Sequence, residues 1–172
     1  DAETATYDSL DRLTSRGAVT YQFNDNGCLV SRGADTFTYS ARGELLQVQI
    51  GGGKTITYTY DGFGRLVART DDAGTRQYLY DGRSSVFLVT EFRDAAGELT
   101  RFYYDDYGLL YAMRQGASWF YVACDQIGTP QVVADAAGAL VKQMTWDSYG
   151  NLLNDSNPAM FMPIGFAGGI VD

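Results

Sequence analysis

The chain has 172 residues, a net charge of −8, 13 tyrosines, 20 glycines, three prolines and no histidine. The length suits one domain of ordinary size, and the acidic balance argues against non-specific binding to nucleic acid or to anionic membranes. The missing histidine removes Ser-His-Asp and Cys-His catalysis, His-ligated zinc and the commonest general base near neutral pH. Two cysteines, Cys28 and Cys124, are too few for a disulfide framework or a zinc cluster. No apolar run approaches the roughly 20 residues of a membrane helix, so no membrane span is expected. The chain begins without Met and without a charged-then-apolar leader, and so reads as a fragment or processed piece.

From the N-terminus onward one short pattern returns: an aromatic residue, a Gly four positions later and a Leu six positions later. Tyr7/Asp11/Leu13 keeps the frame with Asp in place of Gly. Phe23/Gly27/Leu29, Tyr39/Gly43/Leu45 and Tyr60/Gly64/Leu66 follow, the four aromatics lying 16, 16 and 21 residues apart. In Tyr60-Asp61-Gly62-Phe63-Gly64-Arg65-Leu66 an alternating β-branched and aromatic run precedes an Asp/Gly turn, the signature of a β-hairpin. Gly51-Gly52-Gly53 predicts a turn between the strands Leu45–Ile50 and Lys54–Tyr60, and Asp71-Asp72-Ala73-Gly74 another before Thr75–Tyr80.

The frame continues at Tyr80-Asp81 with Ser84 and Val86, then at Tyr104/Gly108/Leu110, in degenerate form at Cys124/Gly128/Pro130, and at Trp146/Gly150/Leu152. Val86–Val89 and Arg101–Tyr104 read as strands. Asp94-Ala95-Ala96-Gly97 and Asp135-Ala136-Ala137-Gly138 read as a second turn type, each with Leu two residues after Gly, at Leu99 and Leu140. No stretch of ten or more residues carries a helical apolar period, so very little helix is expected. Nothing in the composition argues for two domains: residues 1–153 read as hairpin repeats, and 154–172 as an irregular C-terminal segment.

The fixed spacing has a physical basis. A hairpin turn sets which residues face one another, so an aromatic before it and a Leu after it meet as a cross-strand pair. Gly takes the positive φ the reversal needs, and Asp bonds the turn backbone through its side chain. The residue before Leu (Arg12, Cys28, Glu44, Arg65, Leu109 or Asn151) is mostly polar, and is expected on the wetter face.

Catalytic and metal readings are weak. Asp71-Asp72 and Asp105-Asp106 resemble glycosidase or calcium carboxylates, but neighbours along a strand point to opposite faces, and aspartates are ordinary in turns. Asn24-Asp25-Asn26-Gly27 has the flavour of a calcium loop but lacks the downstream Glu. Trp146-Asp147 is no propeller dipeptide, because the units are too short and no His is present. A tyrosine stripe at hairpin spacing serves packing more readily than sugar stacking. No cofactor is expected, and no enzymatic activity.

The aromatic-Asp-x-x-Gly-x-Leu unit resembles the YD repeat of Rhs proteins, teneurins and the cocoon component of bacterial Tc toxins. Cys124-Asp125-Gln126-Ile127-Gly128-Thr129-Pro130, followed by Asp135–Gly138 and Trp146–Asn151, is similar to the Rhs signature D-x-x-G-T/S-P … D-x-x-G … Y-D-x-x-G, and Pro163–Gly169 to the segment that follows it. The resemblance implies an all-β fold of repeated antiparallel hairpins in a spiralling ribbon or partial shell. It implies a shell segment that encloses or presents a C-terminal toxin or another polypeptide, secreted or at the cell surface of a bacterium and delivered by a secretion system. Its structural repeat residues are Tyr7, Phe23, Tyr39, Tyr60, Asp61, Gly64, Leu66, Tyr80, Tyr104, Asp125, Gly128, Pro130, Trp146, Asp147 and Gly150. Expected partners are the enclosed polypeptide or neighbouring repeats. The alternative is an aromatic-rich module binding glycans or a cell-surface protein. The family's ETGL, RYYDP and DPIG segments do not occur in the sequence, so no self-cleavage residue carries over.

Overall fold

The computed structural model describes residues 4–82 and 87–171. The chain divides into two compact units, Asp1–Arg76 and Gln77–Asp172, a division that no shift in composition announced. The first contains β1 (Ala5–Tyr7), β2 (Leu13–Arg16), β3 (Val19–Phe23), β4 (Leu29–Arg32), β5 (Asp35–Tyr39), β6 (Leu45–Ile50), β7 (Lys54–Tyr60) and β8 (Leu66–Asp71). The boundary falls within β9 (Gly74–Tyr80). The second unit continues with β10 (Val89–Arg93), β11 (Leu99–Tyr104), β12 (Leu110–Gln115), β13 (Ser118–Cys124), β14 (Pro130–Asp135), β15 (Leu140–Trp146) and β16 (Leu152–Asp155). Within each unit the strands lie in sequence order. The pairings among the described strands are antiparallel, as in the β5–β6 and β12–β13 ladders. The described helix is limited to one 3-10 turn, Phe166–Gly168, and no described helix is long and apolar enough to cross a membrane.

Period-two alternation makes the strands. In β7, Ile56 and Tyr58 are buried while Thr57 and Thr59 are exposed. In the second unit Tyr78, Phe92, Phe102, Met113, Val122, Val133 and Met144 are buried. Their register, with Phe92 opposite Tyr78, Phe102 opposite Met113 and Val122 opposite Val133, puts them on one face. The Tyr78 and Phe92 rings pack with centroids 5.5 Å apart.

A regular defect accompanies the hairpins. Tyr60 faces Leu66, but Thr59 faces Ala68, so Val67 is an extra residue. The same shift follows Leu29, Leu45, Leu110, Pro130 and Leu152. Such a β-bulge bends the strand and resets which residues face inward. It puts Leu110 and Met113, three apart rather than two, among the buried residues.

The structure revises four readings. The Asp94 and Asp135 turns are not a second type: Asp94 N–H bonds the Glu98 carbonyl and Gly97 N–H the Asp94 carbonyl, the pattern of Asp61, Arg65 and Gly64. Only the preceding aromatic is missing. β10 begins at Val89 rather than at Val86, which lies, with Ser84, outside the described residues, and Tyr80 faces Val89. Pairing runs past Asn154 to Asp155. Finally, the reversals after Arg16 and Arg32 are turns with Gly17 and Gly33 at φ 57° and 58°, which the aromatic frame did not mark.

Truncating Met113, 1% exposed on the buried face, is expected to cost about 2–5 kcal/mol. Urea denaturation of Met113→Ala against the parent checks this, the midpoint falling at unchanged slope.

Candidate functional site

The repeating element is a carboxylate-capped turn. Asp61 Oδ1 accepts the backbone N–H groups of Phe63 at 2.9 Å and Arg65 at 3.0 Å, while Oδ2 accepts Arg65 Nε at 2.7 Å. Asp8 holds Leu10 and Arg12 in the same way, and Asp147 holds Tyr149 and Asn151. Ser40 substitutes a hydroxyl that accepts from the Arg42 and Glu44 backbone and donates to the Glu44 carboxylate. The residue before Leu is therefore not simply a wet-face position. Arg12, Arg65 and Asn151 fold back onto the aspartate, and the Arg65 side chain is only 15% exposed. The donors hold these carboxyls below their ordinary range: the Asn151 side chain first for Asp147, and the Arg12 backbone N–H first for Asp8. Gly64 closes the turn at φ 79°, and Asp11 takes the equivalent place at φ 58°, a conformation Asp tolerates better than most residues.

The aromatic position faces its leucine as expected: Tyr7 faces Leu13, Phe23 Leu29, Tyr39 Leu45, Tyr60 Leu66, Tyr104 Leu110 and Trp146 Leu152. Tyr7 nevertheless stays 62% exposed. In the second unit this position has a further use. Tyr104 Oη donates to the Val89 carbonyl at 2.8 Å, Cys124 Sγ to Leu110 at 3.3 Å and Trp146 Nε1 to Pro130 at 3.0 Å. Val89, Leu110 and Pro130 are the partners of Tyr80, Tyr104 and Cys124. Each hairpin thus reaches back to the one before it, and Cys124 is a working member of the series. Burial pushes the Tyr104 phenol up, and the Cys124 thiol up to about 11.

Three predicted residues of the second unit, Gly128, Trp146 and Gly150, converge on the C-terminal segment. Thr129, fully buried between Gly128 and Pro130, accepts the Ala167 N–H at 3.0 Å. A Cβ on Gly150 would come within 3.0 Å of the Phe166 ring, and one on Gly165 within 3.1 Å of the Trp146 ring. Met162 and Ile164 are buried, and Phe161 packs on Phe92 with centroids 5.6 Å apart. No sequence feature marks the anchor. Lys142, 2% exposed, donates to both Asp155 oxygens at 2.7 and 2.6 Å, to the Asn157 carbonyl at 2.9 Å and to the Met160 carbonyl at 3.0 Å. Burial raises the Asp155 carboxyl, but the Lys142 and Asn157 hydrogen bonds outweigh it and leave the group lowered. Tyr7, Phe23, Tyr39, Tyr60, Asp61, Gly64 and Leu66 belong to the first unit and repeat the turn without this convergence. Among the described residues no group of three or more His, Cys, Asp or Glu is placed to hold a metal.

Capped, bulged hairpins in frame along both units define a YD-type β-repeat protein. The family described as Teneurin YD-shell matches residues 1–172, and the chain belongs to it. Similar relatives are Teneurin-3 of Danio rerio, 39% identical over 170 residues, Teneurin-4 of Homo sapiens, 36% over 170, and Teneurin-m of Drosophila melanogaster, 34% over 169. In each case the match covers 96% of this chain but 6% of the relative, so the chain spans a small part of their length. The fold is also that of the Photorhabdus luminescens Tc holotoxin pore and of TcdB2-TccC3. Each has a TM-score of 0.66 over 99% of this chain and 11% of that one, at 15% and 16% identity.

Replacing Lys142 by Ala leaves Asp155 without its counter-charge. With the Asp155 side chain still 18% exposed, the loss is expected at the lower end for a broken buried pair, about 3 kcal/mol. Urea denaturation measures it, and limited proteolysis is expected to open residues 156–171 first. Because the Asp155 carboxyl is lowered in the fold, its contribution is complete above the ordinary carboxyl pKa near 4 and is lost as pH falls through the lower folded value. Protection of the segment is therefore expected to be flat from about pH 8 to 5 and to fail in stronger acid.

Both cysteines are free and half-buried. A thiol must ionise to attack, and Cys124 is bonded and raised. Maleimide is expected to label Cys28 first in the native protein and both residues in denaturant without reductant. Equal native rates would show that the Cys124 bond does not form.

Proposed function

We propose that the chain is a non-catalytic segment of a YD shell that encloses or presents another polypeptide outside the cell. The observation that carries this is the in-frame hairpin array with one continuous buried face in the second unit, over which the C-terminal segment is pinned by Lys142 and Thr129. Shell membership supplies the architecture. The absence of histidine supports a role without general-base chemistry at neutral pH. The expected surroundings are neighbouring repeats of a longer chain and the enclosed or presented polypeptide. A bacterial source and secretion-system delivery rest on the Gly128-Thr129-Pro130 likeness to Rhs proteins, whereas the named teneurin relatives are animal proteins.

Protease challenge of the full-length protein tests the enclosure. A polypeptide segment held by the shell is expected to survive a broad protease that digests the same segment expressed alone. Equal digestion rates would refute enclosure.

A further inference from the structure

We infer that a cavity on the second unit, beside the turn between β11 and β12, binds a neutral sugar. This stands independently of the shell reading. The cavity measures about 620 Å³, and Asp81, Thr90, Tyr103, Asp106, Tyr107 and Tyr111 are among the residues lining it. That volume falls within the range of small-molecule sites and suits one or two sugar rings.

Three features point to a carbohydrate. First, aromatic rings are offered to solvent: Tyr107 is 91% exposed and Tyr111 50%. Packing accounts for their neighbours Tyr103 and Trp119, whose rings lie 4.9 Å apart across the strand carrying Ala112, itself 1% exposed. Packing does not account for Tyr107 or Tyr111. Tyr111 is the bulge residue between Leu110 and Ala112, and a bulge re-aims its side chain. Second, the side chains of Asp106, Tyr103, Tyr107 and Tyr111 make no hydrogen bond to the protein among the described residues. A phenol both donates and accepts, and a carboxylate accepts through two oxygens. Third, the charge selects. The Asp106 carboxylate repels anionic ligands in a chain of net charge −8.

A pyranose ring combines the matching properties. Its flat C–H face stacks on a tyrosine, and its rim of hydroxyls meets phenols and carboxylates. An apolar peptide would leave Asp106 desolvated without a partner, which is unfavourable. A metal ion lacks the required cluster of ligands among the described residues.

The test is an array of neutral tetrasaccharides of glucose and of N-acetylglucosamine, probed with the full-length protein and followed by calorimetry on any that bind. The parent is expected to bind at least one neutral tetrasaccharide and to ignore sulfated and sialylated controls. Tyr111→Ala and Asp106→Asn are each expected to weaken binding about tenfold, the loss of one good stacking or hydrogen-bond set. Tyr149→Ala, at an 89% exposed turn tip outside the cavity, is expected to bind like the parent. Unchanged thermal melts keep misfolding from mimicking the result. Three outcomes overturn the inference: no neutral sugar bound at millimolar concentration, binding that survives both cavity variants, or a protein partner lost in Tyr111→Ala while the array stays blank.

Discussion

One extra residue after most of the repeat leucines governs how this chain packs. In an unbroken strand, side chains alternate faces with period two. The bulges at Val67, Tyr111 and Leu153 convert that step to three. In the second unit this keeps Leu110 and Met113 together on the buried side. The bulge at Val141 does the same for Lys142, which faces the buried Val133. The anchor of the C-terminal segment is thus a consequence of register. Were the strand to pair without the bulge, Val141 would face Val133 and the ammonium group of Lys142 would move to the other face.

What could be read in advance was whatever is local. The aromatic, the turn carboxylate, the glycine and the leucine lie within seven residues, and each has its own chemical reason, so the frame was visible from Tyr7 to Leu152. The bulges were not, because the inserted residues (Val30, Leu46, Val67, Tyr111, Gln131, Val141 and Leu153 among them) are, apart from Gln131, the apolar residues that any strand carries, so nothing local sets them apart. The Asp94 and Asp135 turns hide for a related reason: they lack the frame's aromatic, whereas the turn itself is built by Asp and Gly. Nothing in the sequence marks Lys142, since the groups that satisfy it, at Asp155, Asn157 and Met160, come from a stretch with no period to interpret.

The Gly128-Thr129-Pro130 element shows how a sequence signature acquires a physical meaning. As a string it indicated kinship. In the fold each residue has a separate contact: Gly128 lies close to the Gly168 backbone, the Thr129 hydroxyl receives Ala167, and the Pro130 carbonyl receives the Trp146 indole. The turn and the segment that covers it are therefore one recognition unit, although 38 residues separate Thr129 from Ala167.

The backward-reaching donors of Tyr104, Cys124 and Trp146 also give the array a direction in time. Each donor lies on the later hairpin and each acceptor on the earlier one. A hairpin leaving the ribosome therefore finds this acceptor already in place and can latch at once. Domains fold N-terminal first during synthesis. A ladder whose three tethering bonds point toward the older end suits that order.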